Sequence, residues 1–285
     1  MAVRGKKADD EPVELTAEER HEAEKRALPR AAIVFETIRL EGQGELERTA
    51  SALAFSGVAA GLSMGFSFFV LSALHAMLPD APWRPLVESL GYTIGFVITI
   101  LGRQQLFTEN TLTPVLVLLE KFSLETLAKV ARLWGIVLVA NVVGAFLFAL
   151  FVSHANVFPP EFVKGLKDVA EHATSLDGTQ VFVRAIFAGW IIALMVWLLP
   201  AAETTALFII ILLTYVVSMT QLTHVVAGTV EAFYAVLIGS ESWSNFLFTF
   251  FIPVFLGNCV GGVTFVALLN FGQVAGDASP AQRGK

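Results

Sequence analysis

His224 is the residue that the sequence places best for chemistry, because it lies in a polar stretch (218–224) between two apolar runs. The runs cover 206–217 and 225–238, and each is too short to cross a bilayer, since a spanning helix needs about 20 apolar residues. Irregular backbone at membrane depth is tolerated only where it is buried in protein or lines a cavity. We therefore predict a membrane helix that is broken in mid-bilayer, with His224 lining a path.

Polar side chains next to the predicted breaks offer two kinds of chemistry. The imidazole of His224 can donate a hydrogen bond to a solute, or it can lend a proton to a weak acid that then crosses uncharged. The hydroxyls of Thr108 and Thr223 can contact the same path, or they can cap the half-helices that start there. The sequence leaves these alternatives open.

Other chemistries lack the residues that they need. The sequence holds no cluster of Cys and His residues and no phosphate-binding loop, so we predict neither a metal nor a cofactor. Ser218 precedes His224 without a glycine elbow, which argues against an intramembrane hydrolase. We therefore predict that the protein is not an enzyme.

The composition is typical of a polytopic membrane protein rather than a soluble domain. Of the 285 residues, 55% are hydrophobic and 15% are charged, and the mean hydropathy is +0.68. The net charge is only −6, so we expect no nucleic-acid partner. We predict an all-α chain whose partners are the lipid bilayer and a small-molecule or ion substrate.

Six hydrophobic segments must position the polar residues. The second segment is interrupted at 103–111, as the fifth is at 218–224. Helical spacing within 159–172 predicts a short amphipathic helix outside the membrane. Gly57, Gly61 and Gly65 form a smooth stripe for close helix packing. The six segments cover about 50–78, 87–119, 133–152, 181–200, 206–238 and 246–269.

Charge patterning sets the domain boundaries and the orientation. We predict a disordered, charged tail (1–28), an amphipathic helix in the membrane interface (29–48), a six-span transport domain (49–270) and a C-terminal tail (271–285). A plain soluble helix is the alternative for 29–48. Most of the 19 Lys and Arg residues lie on the side of the termini, so the positive-inside rule predicts cytoplasmic termini. We expect the membrane to be the cell inner (plasma) membrane.

An internal repeat relates the two halves of the transport domain. The stretch 105–108 resembles 221–224 at an offset of 116 residues, and Asn141 precedes Asn258 by 117. Each unit holds three spans, an odd number, so the second copy must enter the membrane inverted. Inverted repeats whose broken helices meet at the midplane are a transport architecture. We predict that Asn141 and Asn258 hydrogen-bond the facing broken loops.

Three motifs resemble the formate/nitrite transporter family over roughly 30–270. They are Leu106-Phe-Thr-Glu-Asn110, the His on a broken fifth span, and Gly257-Asn-x-x-Gly-Gly262 on the sixth. The sequence of 103–111 looks most like that of the YfdC-type branch of the family. The resemblance implies an aquaporin-like six-helix bundle, a homopentamer with one pore in each protomer, and passage of small monovalent anions of weak acids.

The resemblance also assigns roles to single residues. It implies that Leu106 and Phe107 form a constriction and that Thr108 and His224 line the centre of the pore. Trp190 is either a bulky pore wall or a packing residue that faces lipid or a neighbour. Four residues are predicted for the pore loop or vestibule: Gln105, Glu109, Asn110 and Trp190.

Two departures from the family pattern keep other functions open. Glu109 stands where a small residue is usual, and no Lys occurs in 168–183, shortly before span four. Both changes weaken the attraction of anions, so the same fold conducting a cation or a small neutral solute is the first alternative. A membrane scaffold or sensor with a vestigial pore is the second.

Overall fold

The computed structural model describes residues 15–26, 29–202 and 204–277, and every regular element in those ranges is a helix. Short 3₁₀ turns occur at Glu109–Thr111 and Leu199–Ala201. The last helix contains two stretches of i→i+5 hydrogen bonding, Phe246–Phe251 and Val260–Leu268. The longer helices are α1 (Ala17–Arg26), α2 (Ala31–Glu47), α3 (Ala50–Met77), α4 (Arg84–Leu101), α5 (Thr113–Glu120), α6 (Leu124–His154), α7 (Pro160–Thr174), α8 (Gly178–Leu198), α9 (Ala206–Met219), α10 (Val225–Leu237) and α11 (Trp243–Asp277).

Helix lengths and the gaps between helices show which segments are broken. Five helices in the described ranges are long and apolar enough to cross a membrane: α3, α4, α6, α8 with its following turn, and α11. Helices α9 and α10 have 14 and 13 residues, so each is about 20 Å long at the α-helical rise. The fifth segment is therefore broken, and the gap between α4 and α5 breaks the second. The prediction of an all-α fold with broken second and fifth helices is confirmed.

The glycine stripe brings α3 against α6, and the second half repeats the contact between α8 and α11. A methyl group added to Gly61 would collide with the backbone carbonyl of Asn141, and one added to Gly189 would collide with that of Asn258. The close approach places each Asn side chain beside a loop of its own half. The structure thus contains two related three-helix units.

Part of the stretch predicted as a disordered tail is helical in the structure, at Ala17–Arg26. The Thr16 hydroxyl accepts a hydrogen bond from the Glu19 N–H, and the Glu19 carboxylate accepts one from the Thr16 N–H. This reciprocal capping box stabilises a helix start in an otherwise exposed, charged stretch. Residues 1–14 and 27–28 of the predicted tail lie outside the described residues.

Helices packed at the two ends of the transport domain contact each other, and the last helix runs past the predicted boundary. Helix α2 buries Val34, Phe35 and Ile38 against α5, α8 and the end of α11. Helix α11 continues to Asp277, past the boundary that we predicted at residue 270, because its last turns pack there, with Phe271 and Phe35 ring centroids 6.0 Å apart. Residues 278–285 lie outside the described ranges.

Candidate functional site

The two breaks meet at a hydrogen bond between Thr108 and His224. Thr108 Oγ1 lies 2.7 Å from His224 Nε2, and both residues are buried. Thr108 directly precedes the turn that leads into α5, and His224 directly precedes α10. Two half-helices therefore begin at this bond. Their N-terminal ends carry partial positive charge, which favours an anion or a polarised solute.

The hydrogen bonds of His224 define its tautomer. Nδ1 accepts a hydrogen bond from the Ala227 N–H at 3.2 Å and so caps α10. A neutral imidazole has one donor and one acceptor nitrogen, so its proton sits on Nε2 and is donated to Thr108 Oγ1. The Thr108 hydroxyl hydrogen then remains to be donated to a third group. The Phe96 ring packs edge-on against the imidazole at 5.0 Å between centroids.

Asn141 on α6 holds the first loop. Its Oδ1 accepts a hydrogen bond from the Phe107 N–H at 2.9 Å, and its Nδ2 donates to the carbonyls of Gln105 and Gly57, each at 2.8 Å. The side chain is fully buried. One amide thus ties the loop to both α6 and α3, and it satisfies backbone groups that have no water to bind.

Asn258 on α11 holds the second loop in the same way. Its Oδ1 accepts a hydrogen bond from the Val225 N–H at 2.8 Å. Its Nδ2 donates to the carbonyl of Thr223 at 3.1 Å and to that of Ala185 at 2.7 Å. The structure therefore places both predicted loop-supporting residues against the broken loops.

These bonds correct the register that we predicted for the repeat. Asn141 donates to the carbonyl of Gln105, and in the second half Asn258 donates to the carbonyl of Thr223. The two loops therefore correspond at an offset of 118 residues rather than 116. Arg103 and Gln221, which are also 118 apart, have φ angles of 52° and 54°. The prediction that 105–108 corresponds to 221–224 is wrong, because it matched the side-chain types of the two loops. The loops are alike in the backbone groups that the Asn side chains bind, and not in their side chains.

The remaining residues of the first loop bond to one another and to α3, or pack in the core. Asn110 Nδ2 donates to Gln105 Oε1 at 3.1 Å, and the Gln105 N–H donates to Ser56 Oγ at 3.0 Å. Leu106 and Phe107 are fully buried. The Phe107 ring lies 5.4 Å from both Trp134 and Phe255, measured between centroids.

The side chains of Glu109 and Trp190 have other neighbours than the Thr108–His224 pair. The Glu109 carboxylate makes no hydrogen bond or ion pair with a described residue, and Arg103 is a charged neighbour. Trp190 stacks on Phe265 at 4.7 Å between centroids, beside the half-exposed Phe187. The structure therefore places Trp190 in outward packing between α8 and α11 rather than in the cavity that reaches His224.

A cavity of about 490 Å³ ends at His224 and Thr223. Helices α3, α4, α7, α8, α9 and α10 contribute to its wall, so it opens on the side of α7. His75 Nδ1 lies 2.9 Å from Glu88 Oε2, and Arg84 Nε lies 3.7 Å from the same oxygen. These charges form a vestibule that leads to the imidazole. Within the described ranges no group of His, Cys, Asp or Glu is arranged to hold a metal ion.

Two residues of this vestibule were missed by the sequence reasoning. Arg184 lines it and donates from Nη1 to the Gln221 carbonyl at 3.2 Å. Glu231 lines it too, two turns after His224 on α10. The signal for Glu231 was available, because a single carboxyl stands in the apolar run 225–238 at a helical spacing from His224. Arg184 lies directly after 168–183, the interval in which we found no Lys.

A family model for formate/nitrite transporters matches residues 32–272. The chain belongs to the formate/nitrite transporter family. Among its relatives, the inner membrane protein YfdC of Escherichia coli (strain K12) is 39% identical over 277 residues, covering 94% of this chain and 88% of the relative. The uncharacterized transporter YrhG of Bacillus subtilis (strain 168) is 29% identical, covering 73% of this chain and 81% of the relative.

Solved structures of this family share the fold. A pentameric formate channel with formate bound superposes with a TM-score of 0.67 at 19% identity, covering 79% of this chain and 98% of that one. An FNT family ion channel gives a TM-score of 0.69 at 21% identity, covering 85% and 96%. The aquaporin-like fold implied by the family resemblance is confirmed.

Family membership also defines the class of protein. The formate/nitrite transporter family consists of transporters and channels rather than enzymes, which confirms that prediction. Together with the five long apolar helices, it identifies the chain as a membrane transport protein.

Proposed function

We propose that the protein is a channel or transporter for small monovalent anions of weak acids, with a pore in each protomer that passes the Thr108–His224 pair. The observation that carries this proposal is the position of that pair. It lies where two half-helices begin and where the vestibule ends. A path through the protomer that continues the vestibule has to pass these two side chains.

Electrostatics at the pair favour an anion over a cation. Each helix N-terminus is equivalent to roughly half a positive charge, and two of them face the same point. His224 Nε2 and the Thr108 hydroxyl add hydrogen-bond donors. Arg184 supplies a fixed positive charge in the vestibule, which offsets the missing Lys. The family relationship and the formate channel with the same fold support this choice of substrate.

The constriction is the part of the path that an ion crosses least easily. Leu106 and Phe107 directly precede Thr108 in the sequence and are apolar and buried, and an unpaired charge among such side chains is costly. A weak acid avoids that cost if it crosses as the neutral acid and releases its proton on the far side. We therefore propose proton-coupled transport.

We propose that the protomer has six crossings, with both termini in the cytoplasm, in an inner (plasma) membrane. The relative in Escherichia coli that is named an inner membrane protein supports this location. We also propose a homopentamer. Phe55, Val139 and Phe151 are well exposed on the isolated protomer, as expected where helices face lipid or other protomers, and one solved structure of this fold is pentameric.

A second candidate keeps the fold and changes the substrate to a monovalent cation or a small neutral solute. The observation in its favour is that Glu88, Asp168 and Glu231 all line the vestibule. Carboxylates in a pore attract cations.

The experiment that separates the two candidates measures selectivity. Purified protein is reconstituted in liposomes, and reversal potentials and tracer uptake are recorded under gradients of formate, nitrite, hydrosulfide, sodium and potassium. Our proposal expects uptake of at least one of the three anions, with acid-dependent stimulation. Transport of sodium or potassium without any anion would replace the proposal by the cation alternative.

A further inference from the structure

Glu231 shares one face of α10 with His224. It follows His224 by seven residues, which is two helical turns and about 10 Å along the axis. Both side chains line the same cavity. A solute in the vestibule therefore meets the Glu231 carboxyl before it reaches the imidazole.

The carboxyl of Glu231 is not used to hold the fold together. It makes no hydrogen bond or ion pair with any residue that the structure describes, whereas Glu88 pairs with His75 and Asp168 pairs with Lys164. The preceding residues of α10, from Val225 to Val230, are all buried. An ionisable group in such a segment without a structural partner indicates a function in transport.

The groups that face Glu231 across the cavity are both acidic and basic. Helices α3 and α4 contribute His75, Arg84, Glu88 and Tyr92, and the last interacts electrostatically with Glu231. Helices α7 and α8 contribute Asp168, His172 and Arg184. Helices α6 and α11 also pack against α10 but bring no titratable side chain of the described residues to this cavity.

The tautomer of His224 creates a need for another proton donor. Its Nδ1 caps α10, so the neutral ring carries a single proton, on Nε2. Giving up that proton would leave an imidazolate. His224 can therefore donate a hydrogen bond to a passing solute but is poorly suited to hand over a proton, which has to come from a group that the solute meets earlier.

We propose that Glu231 is the residue that protonates the weak-acid anion in the vestibule; this inference rests on the proposed function. The O–H bond of the Glu231 carboxyl breaks and an O–H bond forms on the anion. The neutral acid moves on to Thr108 and His224. The Glu231 carboxylate then regains a proton from hydronium in the vestibule water, which completes the cycle. Arg184 attracts the anion on its way to Glu231.

The test replaces the carboxyl by an amide of nearly the same shape. Formate uptake into proteoliposomes is measured between pH 5.5 and 7.5, with a trapped dye that reports proton entry, for the wild-type protein and for Glu231→Gln. We expect uptake of the variant to fall at least about 10-fold, as for loss of a general acid, and its stimulation by acid to disappear. The matched control is Glu161→Gln, which changes an exposed glutamate on α7 and should keep wild-type uptake.

Each outcome has a defined meaning. If Glu231→Gln takes up formate at the wild-type rate and with the wild-type pH profile, the inference is overturned and the proposed function stands. No anion uptake by the wild-type protein would remove the proposed function itself. Cation transport that depends on Glu231 would make it a cation site instead.

A second variant keeps the inference testable if the first one does not fold. If Glu231→Gln does not purify as a stable oligomer, Glu231→Asp decides, because it keeps the carboxyl on a shorter side chain. It should retain acid stimulation, and loss of that stimulation in a folded Asp variant would overturn the inference.

Discussion

Thr108 Oγ1 and His224 Nε2 lie 2.7 Å apart although the residues are 116 positions apart in the chain. The bond joins the beginnings of two half-helices that belong to oppositely oriented repeats. Asn141 and Asn258 hold the two sides in place through equivalent backbone bonds. The backbone is therefore nearly symmetric around this bond, but the side chains are not, since Leu106 is the counterpart of His224 under the offset of 118. One half contributes the imidazole and the other the hydroxyl.

The two buried Asn residues should contribute equally to stability. Asn141→Ala or Asn258→Ala removes three hydrogen bonds and leaves a buried N–H and two carbonyls without their side-chain partner. Unsatisfied buried groups cost about 1–3 kcal/mol each, so we expect a large loss of thermal stability in detergent for both variants. Asn245→Ala is the control, because its side chain bonds Glu241 just before the start of α11 and holds no broken loop. A loss no greater than in that control would contradict the loop-supporting role.

Two glycines of α2 should respond in opposite directions to the same substitution. Gly42→Ala places a methyl group against the backbone carbonyl of Thr113, whereas Gly44→Ala meets nothing within 4 Å. We expect the first to destabilise the packing of α2 on α5, by about 1–3 kcal/mol. The second should stabilise α2 by about 0.5–1 kcal/mol, because Ala is the better helix former. Thermal unfolding in detergent measures both, and equal shifts would contradict the docking of α2.

Arg184 should govern the attraction of anions into the vestibule. Arg184→Gln removes a positive charge while keeping a hydrogen-bond donor for the Gln221 carbonyl. We expect anion uptake at low ionic strength to fall by roughly 3- to 10-fold, and the difference to shrink in high salt because the charge is screened. Arg184→Lys should restore uptake, and Lys167→Gln, at an exposed site on α7 whose partner Glu171 does not line the cavity, is the control. A salt-independent effect would point to loop structure instead of charge.

The broken helices and the buried Asn residues were predictable because they follow from bilayer physics. A run of apolar residues shorter than the hydrocarbon core has to end within it, and an amide in an apolar helix has to find a partner. The segment around His224 met the first condition, and Asn141 and Asn258 met the second. The family motifs then added the fold.

Other features were not visible in the residue pattern. The register of the repeat depends on backbone bonds, which leave no side-chain signature at 105 or 223. The direction in which Trp190 points depends on how α8 is rotated about its axis relative to α11. The apolar residues of a membrane helix do not reveal that rotation. The helix at Ala17–Arg26 has a sequence signal, the capping box at its start, but the charged composition of the stretch outweighed it. Glu231 also has one, since it follows His224 by two helical turns.

The most direct measurement of the central claim compares uptake of formate, nitrite and hydrosulfide by the wild-type protein with uptake by Thr108→Val, His224→Ala and the double variant. Thr214→Val is the control, because that buried hydroxyl bonds the Ile210 carbonyl of its own helix. Uptake by each single variant should be at least about 10-fold lower than that of the wild-type protein, which is the effect of losing a hydrogen bond to a charged group. The double variant should be no worse than either single one, since both remove the same interaction. Wild-type rates in both single variants, with the protein folded, would contradict a pore that passes Thr108 and His224.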